Sequence, residues 1–239
     1  MNYVREYWGR ISSGEIVTSR RVKAVYGRLM QEMDAPSDDS AYYFDEETGE
    51  RPILFIEQFC KQSQGTLGAA LKLELFQKAF IQTLFGWLEK DTGYRRFRET
   101  LLLVARKNGK TTVGAALEVD AAYNDGEYAP HIYNAATSKD QAMESFEPCY
   151  NMIKLNPLLW KKTNKPKTKD VGKIEFPFNL GRIERLSGRP NSMDGFNVHF
   201  ALIDELAAHK TRDIYDLLKQ GIQSRDQPLV WCITTNGFV

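Results

Sequence analysis

An unbroken apolar run that passes through a lysine- and glycine-bearing turn into an alanine-rich stretch constrains this chain most. Thr100-Leu101-Leu102-Leu103-Val104-Ala105 shows no polar alternation, the pattern of a strand buried on both faces. The turn Arg106-Lys107-Asn108-Gly109-Lys110 follows, and Thr111 to about Tyr123 reads as a helix. A strand that feeds a helix this tightly opens a βα unit, and the rest of the chain repeats the theme. Residues 131–137 read as a strand, and Ser138 caps a helix that stops before Asn156-Pro157. Residues 173–187 read as a hairpin turning near Asn179-Leu180-Gly181. Val198 to Ile203 is an apolar strand ending in Asp204-Glu205; a helix spans about Thr211 to Ser224, and Leu229 to Thr234 is a last strand. Strands alternating with helices predict a mostly parallel sheet covered on both faces.

The N-terminal part reads differently. Val22, Val25, Tyr26, Leu29 and Met33 recur at helical spacing on one face, and Asp34 to Ser40 is a turn-rich acidic loop. Phe55, Ile56 and Phe59 suggest a second helix ending near Gly65. A third runs from about Leu75 to Leu88, with Phe76, Phe80, Leu84, Trp87 and Leu88 on its buried side. The acidic clusters Asp38-Asp39 and Asp45-Glu46-Glu47 read as solvated loop residues. We therefore place an N-terminal helical segment at 1–70 and an α/β core at 71–239. The length, 239 residues, suits that plan. The formal net charge of +1 gives no sign of a globally basic nucleic-acid binder, though a local basic patch remains open. Cys60, Cys149 and Cys232 show no paired or metal-binding spacing with each other or with the histidines, so they read as reduced thiols. No apolar run is long enough to span a bilayer, and the first residues lack a signal-peptide core.

The turn carries chemistry. Gly109-Lys110-Thr111 is the second half of G-x-x-x-x-G-K-[ST], between a strand and a helix as that motif requires. Gly109 frees the backbone to aim N–H groups at phosphate, as Arg106, Lys107, Asn108 and Thr112 frame the loop. Lys110 is a compact cation suited to the β- and γ-phosphates, and the Thr111 hydroxyl can ligate Mg²⁺. Val104 stands where the first glycine of the motif is usual. Arg106 and Lys107 both offer charge to a γ-phosphate in the transition state; Arg106 is preferred because guanidinium forms bidentate phosphate contacts.

The second motif is Phe200-Ala201-Leu202-Ile203-Asp204-Glu205, a Walker B pattern with an added glutamate. An aspartate at a strand's C-terminal end can hold Mg²⁺, and the next carboxylate can activate an attacking water. Thr234-Thr235-Asn236 ends the following strand, where hydroxyl and amide groups can sense the γ-phosphate; Asn236-Gly237 also reads as a plain turn. ATP and Mg²⁺ are the ligands these motifs imply. The fold class is a three-layer αβα P-loop NTPase of the ASCE type with an N-terminal helical segment.

Taken together the chain resembles the large terminase subunit of tailed bacteriophages, the motor that packages DNA into a procapsid. The resemblance rests on Gly93-Tyr94-Arg95-Arg96-Phe97-Arg98, on Ala105 to Thr111, on Ala135-Ala136-Thr137 with Gln141-Ala142, and on Met193-Asp194-Gly195 ahead of Ala201 to Glu205. The Ala-Arg-Lys-Asn-Gly-Lys-Thr loop is typical of that family, which accounts for the absent first glycine. The resemblance implies that Gln77, in Leu75-Phe76-Gln77, recognises adenine, and that Thr234-Thr235-Asn236 couples hydrolysis to movement. It implies an arginine donated by a neighbouring subunit: Arg189 is the candidate, with Arg182 and Arg185 competing. It also implies double-stranded DNA, a homo-oligomeric ring on the portal, a small terminase subunit and the portal protein as partners, with no membrane. The location implied is the cytoplasm of the infected bacterial host, transiently at the procapsid portal. Lys161, Lys162, Lys165, Lys167, Lys169 and Lys173 either track DNA phosphates or are a solvated loop. The family's C-terminal nuclease domain is not expected in this chain. The alternative reading is a nucleotide-gated DNA- or partner-binding module with little turnover, against which Glu205 argues; a helicase-like ATPase would need a second RecA-like domain.

Overall fold

A computed structural model describes residues 1–37, 39–62, 65–164, 172–187 and 196–235. The chain forms two compact units, residues 1–54 with 72–97, and residues 55–71 with 98–239. The sequence places a division at residue 70; by contacts, Lys72–Phe97 groups with the N-terminal helices and Phe55–Leu71 with the sheet.

In the first unit α1 (Tyr3–Ser12) and α2 (Arg20–Asp34) are separate helices, capped by the side chains of Asn2 and Ser19. Further along come β1 (Tyr42–Phe44), α3 (Glu46–Phe59), which begins in this unit, α4 (Leu75–Gly86) and β2 (Trp87–Glu89). Val4, Tyr7, Ile11, Tyr26, Leu29, Met30, Ala79 and Trp87 share one core. Val25, expected on the buried face of α2, is 55% exposed, and Met30 takes its place inside. Buried Gln82 accepts from the N–H groups of Tyr3 (2.7 Å) and Val4 (3.2 Å) and donates to the Met1 carbonyl (2.8 Å). It thereby satisfies amides at the start of α1 that no helix bond can reach. Residues 45–47 are not a loop. Asp45 accepts from Thr48 N–H at 2.6 Å and Glu46 and Glu47 form the first turn of α3, where negative charge suits the helix dipole. α4 stops at Gly86, and Trp87 and Leu88, expected to be helical, pair with β1 as strand.

The second unit continues with β3 (Glu99–Leu103), α5 (Lys110–Tyr123), β4 (His131–Ala136), α6 (Lys139–Leu155), α7 (Pro157–Lys161), β5 (Lys173–Phe176), β6 (Gly181–Ser187), β7 (Phe200–Ile203), α8 (Asp213–Gly221) and β8 (Leu229–Thr234). Six strands form one sheet in the order β3-β8-β7-β4-β6-β5, parallel except for β5 against β6. The inserted β8 separates the strand that feeds the lysine loop from the strand that ends in Asp204, the arrangement of the ASCE class.

Side-chain alternation along β7 gives the layers. Ala201 and Ile203 join Tyr133, Ala135, Val230 and Cys232 in a core closed by Ile214 and Leu218 of α8. Leu202 points the other way, onto α5. A Cβ at Gly114 would meet Leu202 Cδ1 at 2.8 Å, so the glycine is what lets α5 lie this close to the sheet. Val113 through Ala122 of α5 are all buried, which explains its alanine content: α5 is an inner helix that also packs on α6. β4, β7 and β8 are almost wholly buried, as continuous apolar runs predict. β3 is not. It is an edge strand among the described residues, with Leu101 55% and Leu103 52% exposed. Unbroken hydrophobicity suggested burial on both faces, but one face of this strand is left open.

Candidate active site

The strands register so that Leu103 lies beside Thr234, Cys232 beside Ile203, and Ile203 beside Ala135. The C-terminal ends of β3, β8, β7 and β4 therefore meet at one edge, the place where open parallel sheets bind ligands. The two sequence motifs both lie at that edge.

The loop after β3 turns through two left-handed residues, Lys107 (φ 66°) and Gly109 (φ 71°). Gly109 adopts this shape without cost and starts α5 directly, so the first amides of the helix face the pocket. Asn108 braces the loop by donating its Nδ2 to the Ala105 carbonyl at 3.0 Å. Arg106, Lys107 and Asn108 are exposed, and Lys110, Thr111 and Thr112 half-buried.

Lys110 reaches across to β7. Its Nζ donates to Glu205 Oε1 at 2.8 Å and to Asp204 Oδ1 at 3.4 Å, and the Thr111 hydroxyl donates to Asp204 Oδ2 at 3.3 Å. The two motifs, more than ninety residues apart in sequence, share one cluster. Burial pulls the Lys110 ammonium's pKa down, but its bonds to Glu205 and the charge of Asp204 outweigh it, so the pKa ends above its ordinary value. Burial pushes the Glu205 carboxyl up, but Lys110 and Thr235 outweigh this and hold it below the usual carboxylate range.

Glu205 adopts φ 49°, ψ 52°, a left-handed backbone that costs a residue with a side chain about 1–3 kcal/mol and is kept only where neighbours impose it. The neighbours are visible. Thr235 donates its hydroxyl to Glu205 Oε2 at 3.4 Å, and Thr234 Oγ1 accepts from Ala207 N–H at 3.2 Å. A single 3-10 turn, Leu206–Ala208, comes next, and His209 Nε2 lies 3.2 Å from the Asp204 carbonyl. The resulting pocket is about 540 Å³; α6 forms its far wall with Gln141, Glu144 and Glu147.

The chain matches the family model described as the terminase large subunit, ATPase domain, over residues 75–239. It belongs to the terminase large subunit ATPase-domain family. It is 29% identical over 194 residues to the terminase large subunit of Enterobacteria phage HK97, covering 79% of this chain and 37% of that protein. A shorter match, 42% over 45 residues, links it to protein YmfN of Escherichia coli strain K12, covering 19% of this chain and 10% of that protein. The crystal structure of the HK97 large terminase superposes with a TM-score of 0.65 at 26% identity, over 78% of this chain and 37% of that one. The chain thus spans well under half the length of these relatives. The α/β sheet anticipated from the sequence is the terminase ATPase fold.

Of the residues singled out in the sequence, Lys110, Thr111, Asp204, Glu205, Thr234 and Thr235 come together, and Thr112 lines the same pocket. Gln77 belongs to the other compact unit, where its Oε1 accepts from Glu74 N–H at 2.9 Å and closes the capping box of α4. Arg182 pairs in register with His131, at the end of the sheet opposite the terminase site, and Arg185 stands beside Asn134 in mid-strand. That geometry removes Arg182 from the site of its own subunit. Arg189 and Asn236 lie outside the described residues, as do Met193-Asp194-Gly195 and Lys165, Lys167 and Lys169.

Sequence reasoning missed three features. His209 carried no motif, and it was weighed only as a metal ligand alongside the cysteines. The α6 wall, with Glu144 and Glu147, carried no motif. Glu118, wholly buried in α5, was hidden inside an alanine-rich helix, although an acid between Leu117 and Val119 in such a helix is itself a signal.

Proposed function

We propose that this terminase domain binds Mg·ATP at the β3–α5 loop and hydrolyses it, and that the hydrolysis drives double-stranded viral DNA into a procapsid. The convergence of Lys110, Thr111, Asp204 and Glu205 within hydrogen-bond reach carries the reading. Amides at the start of α5 cradle the phosphates, and Lys110 leaves Glu205 for the β- and γ-phosphate oxygens. Glu205, freed from its ion pair and still held by Thr235, orients a water and accepts its proton as the oxygen attacks the γ-phosphorus. The bond from that phosphorus to the β–γ bridging oxygen breaks, and ADP and phosphate leave. Arg106 supplies further positive charge to the transferring group.

The residues present fit magnesium. Thr111 Oγ1 and Asp204 Oδ2 are hard oxygen donors 3.3 Å apart, and this ion is commonly held by one or two protein oxygens with phosphates and water completing its shell. Thr111 and Asp204 would hold it, and it would supply positive charge that neutralises the phosphates.

Gln77 is the proposed reader of the adenine edge and Thr234-Thr235-Asn236 the link from hydrolysis to movement, both on the strength of the family resemblance. So too are Arg189 as the group donated by a neighbour, the ring on the portal, the small-subunit partner and work in the host cytoplasm. Among the described residues no helix is long and apolar enough to cross a membrane.

Lys110→Ala is expected to lose ATP binding, measured by titration calorimetry, because the principal phosphate cation is gone; unchanged affinity contradicts the assignment. Glu205→Gln is expected to bind Mg·ATP normally and turn it over at least about a hundredfold more slowly. Turnover near the wild-type rate removes Glu205 from the reaction.

A further inference from the structure

We propose that His209 is a positioning residue for hydrolysis, fixing the peptide between Asp204 and Glu205 so that the Glu205 carboxylate stays in its reactive place. The inference rests on the reading of Glu205 as the group that activates water.

His209 Nε2 lies 3.2 Å from the Asp204 carbonyl oxygen. A carbonyl only accepts, so the imidazole donates, and Nε2 is the nitrogen that carries the proton. The other edge of the same peptide is also held, because Glu205 N–H donates to Asp204 Oδ1 at 2.8 Å. One peptide plane is therefore gripped on both sides. Its orientation sets the φ of Glu205, which stands at 49°. Other bonds in this turn act later in the chain: Ala208 N–H to the Glu205 carbonyl (2.8 Å), His209 N–H to the Leu206 carbonyl (3.2 Å) and Ala207 N–H to Thr234 Oγ1 (3.2 Å). They shape the turn on the C-terminal side of Glu205 and leave the preceding peptide free to rotate. Among the described residues, the imidazole is the only side chain from outside the Asp204–Glu205 pair that holds this peptide's carbonyl.

A flipped peptide lets Glu205 relax to a right-handed backbone, which carries its carboxylate away from Thr235 and from Lys110. That rotation costs Lys110 its bond to Glu205 but leaves Thr111 and the amides of α5 in place, and Lys110 in any case turns to phosphate once nucleotide binds. Loss of the imidazole donor should thus slow the chemical step and spare nucleotide binding. The remainder of the ring lines a separate groove of about 620 Å³ with Leu206 and Thr211, so a leucine of similar size fills its space without donating.

Steady-state hydrolysis of Mg·ATP, nucleotide affinity and thermal melting of the whole chain, compared for His209→Leu, His209→Gln and Glu205→Gln, test this. His209→Leu should lower kcat at least about tenfold with KM and Kd within about twofold and Tm nearly unchanged, the pattern of a group that acts only beyond the ground state. Glutamine places an amide N–H near the Nε2 position and should restore much of the lost rate. A wild-type kcat in His209→Leu overturns the proposal. So does an equal loss in both variants, or a loss shared by kcat, Kd and Tm. Wild-type turnover in Glu205→Gln identifies failure of the underlying reading instead. The bond itself is decided without turnover by ¹⁵N spectra of the imidazole: the Nε2–H tautomer is expected, and an Nδ1–H tautomer overturns the proposal.

Discussion

Glu118 sits wholly buried in α5, about two helical turns after Thr111. Burial drives its carboxyl well above the usual range, the nearby Asn134 amide and Cys149 thiol pull it back only in part, and the charge of Asp204 adds to the rise. Neither of its oxygens makes a hydrogen bond of ordinary length among the described residues, and Asn134, which accepts from Ser145 at 2.6 Å, leaves its Nδ2 equally unpaired. The sign of the consequence is fixed. A carboxyl whose folded pKa lies above its unfolded value near 4.5 contributes most below that value, and stability is lost as pH rises toward the folded pKa. Glu118→Gln keeps the shape and cannot ionise. Urea unfolding at a series of pH values should show the variant gaining on the wild type above about pH 4.5, by up to about 1.4 kcal/mol for each pH unit in that window. A difference that stays flat from pH 4 to 8 means that Glu118 ionises inside the fold at no cost. At this scale the sequence was most legible where two motifs predict that residues converge, as Lys110 and Asp204 do. It was least legible where a residue works through its neighbours. His209 matters through a carbonyl five residues back, and Glu118 through neighbours brought to it from β4 and α6.

Elements were read well where periodicity or a cap was decisive. Ser138 does cap α6, accepting from Gln141 N–H at 3.2 Å, and the hairpin turns at Asn179, whose Oδ1 accepts from Gly181 N–H at 3.0 Å. The misreadings differ in cause. The helical start at Glu46 was legible in the Asp45 cap and its acidic first turn, whereas the exposed face of β3 and the end of α4 at Gly86 depend on sheet position and strand pairing, which local composition does not encode. The contact between α5 and β7 is likewise invisible in sequence and controls the site, because it brings Thr111 over Asp204. Gly114→Val should force the helix off Leu202 and cost about 1–3 kcal/mol, as overpacking does. The double variant Gly114→Val with Leu202→Ala should recover part of that loss in denaturant unfolding. Additive losses mean that the two residues do not share the space assigned to them.

For the whole molecule, the alternation of strands and helices announced a parallel sheet, and the order β3-β8-β7-β4 at its loaded edge is what makes two distant motifs adjacent. The grouping of Lys72–Phe97 with the N-terminal helices was not legible, since no break in composition marks it. A crystal structure of the Glu205→Gln chain with ATP and magnesium measures the central claim directly. Lys110 Nζ should have left position 205 for the β- and γ-phosphate oxygens, with the metal between Thr111 Oγ1, Asp204 and the phosphates. Triphosphate density elsewhere on the molecule, or a metal held without Thr111 and Asp204, contradicts the account.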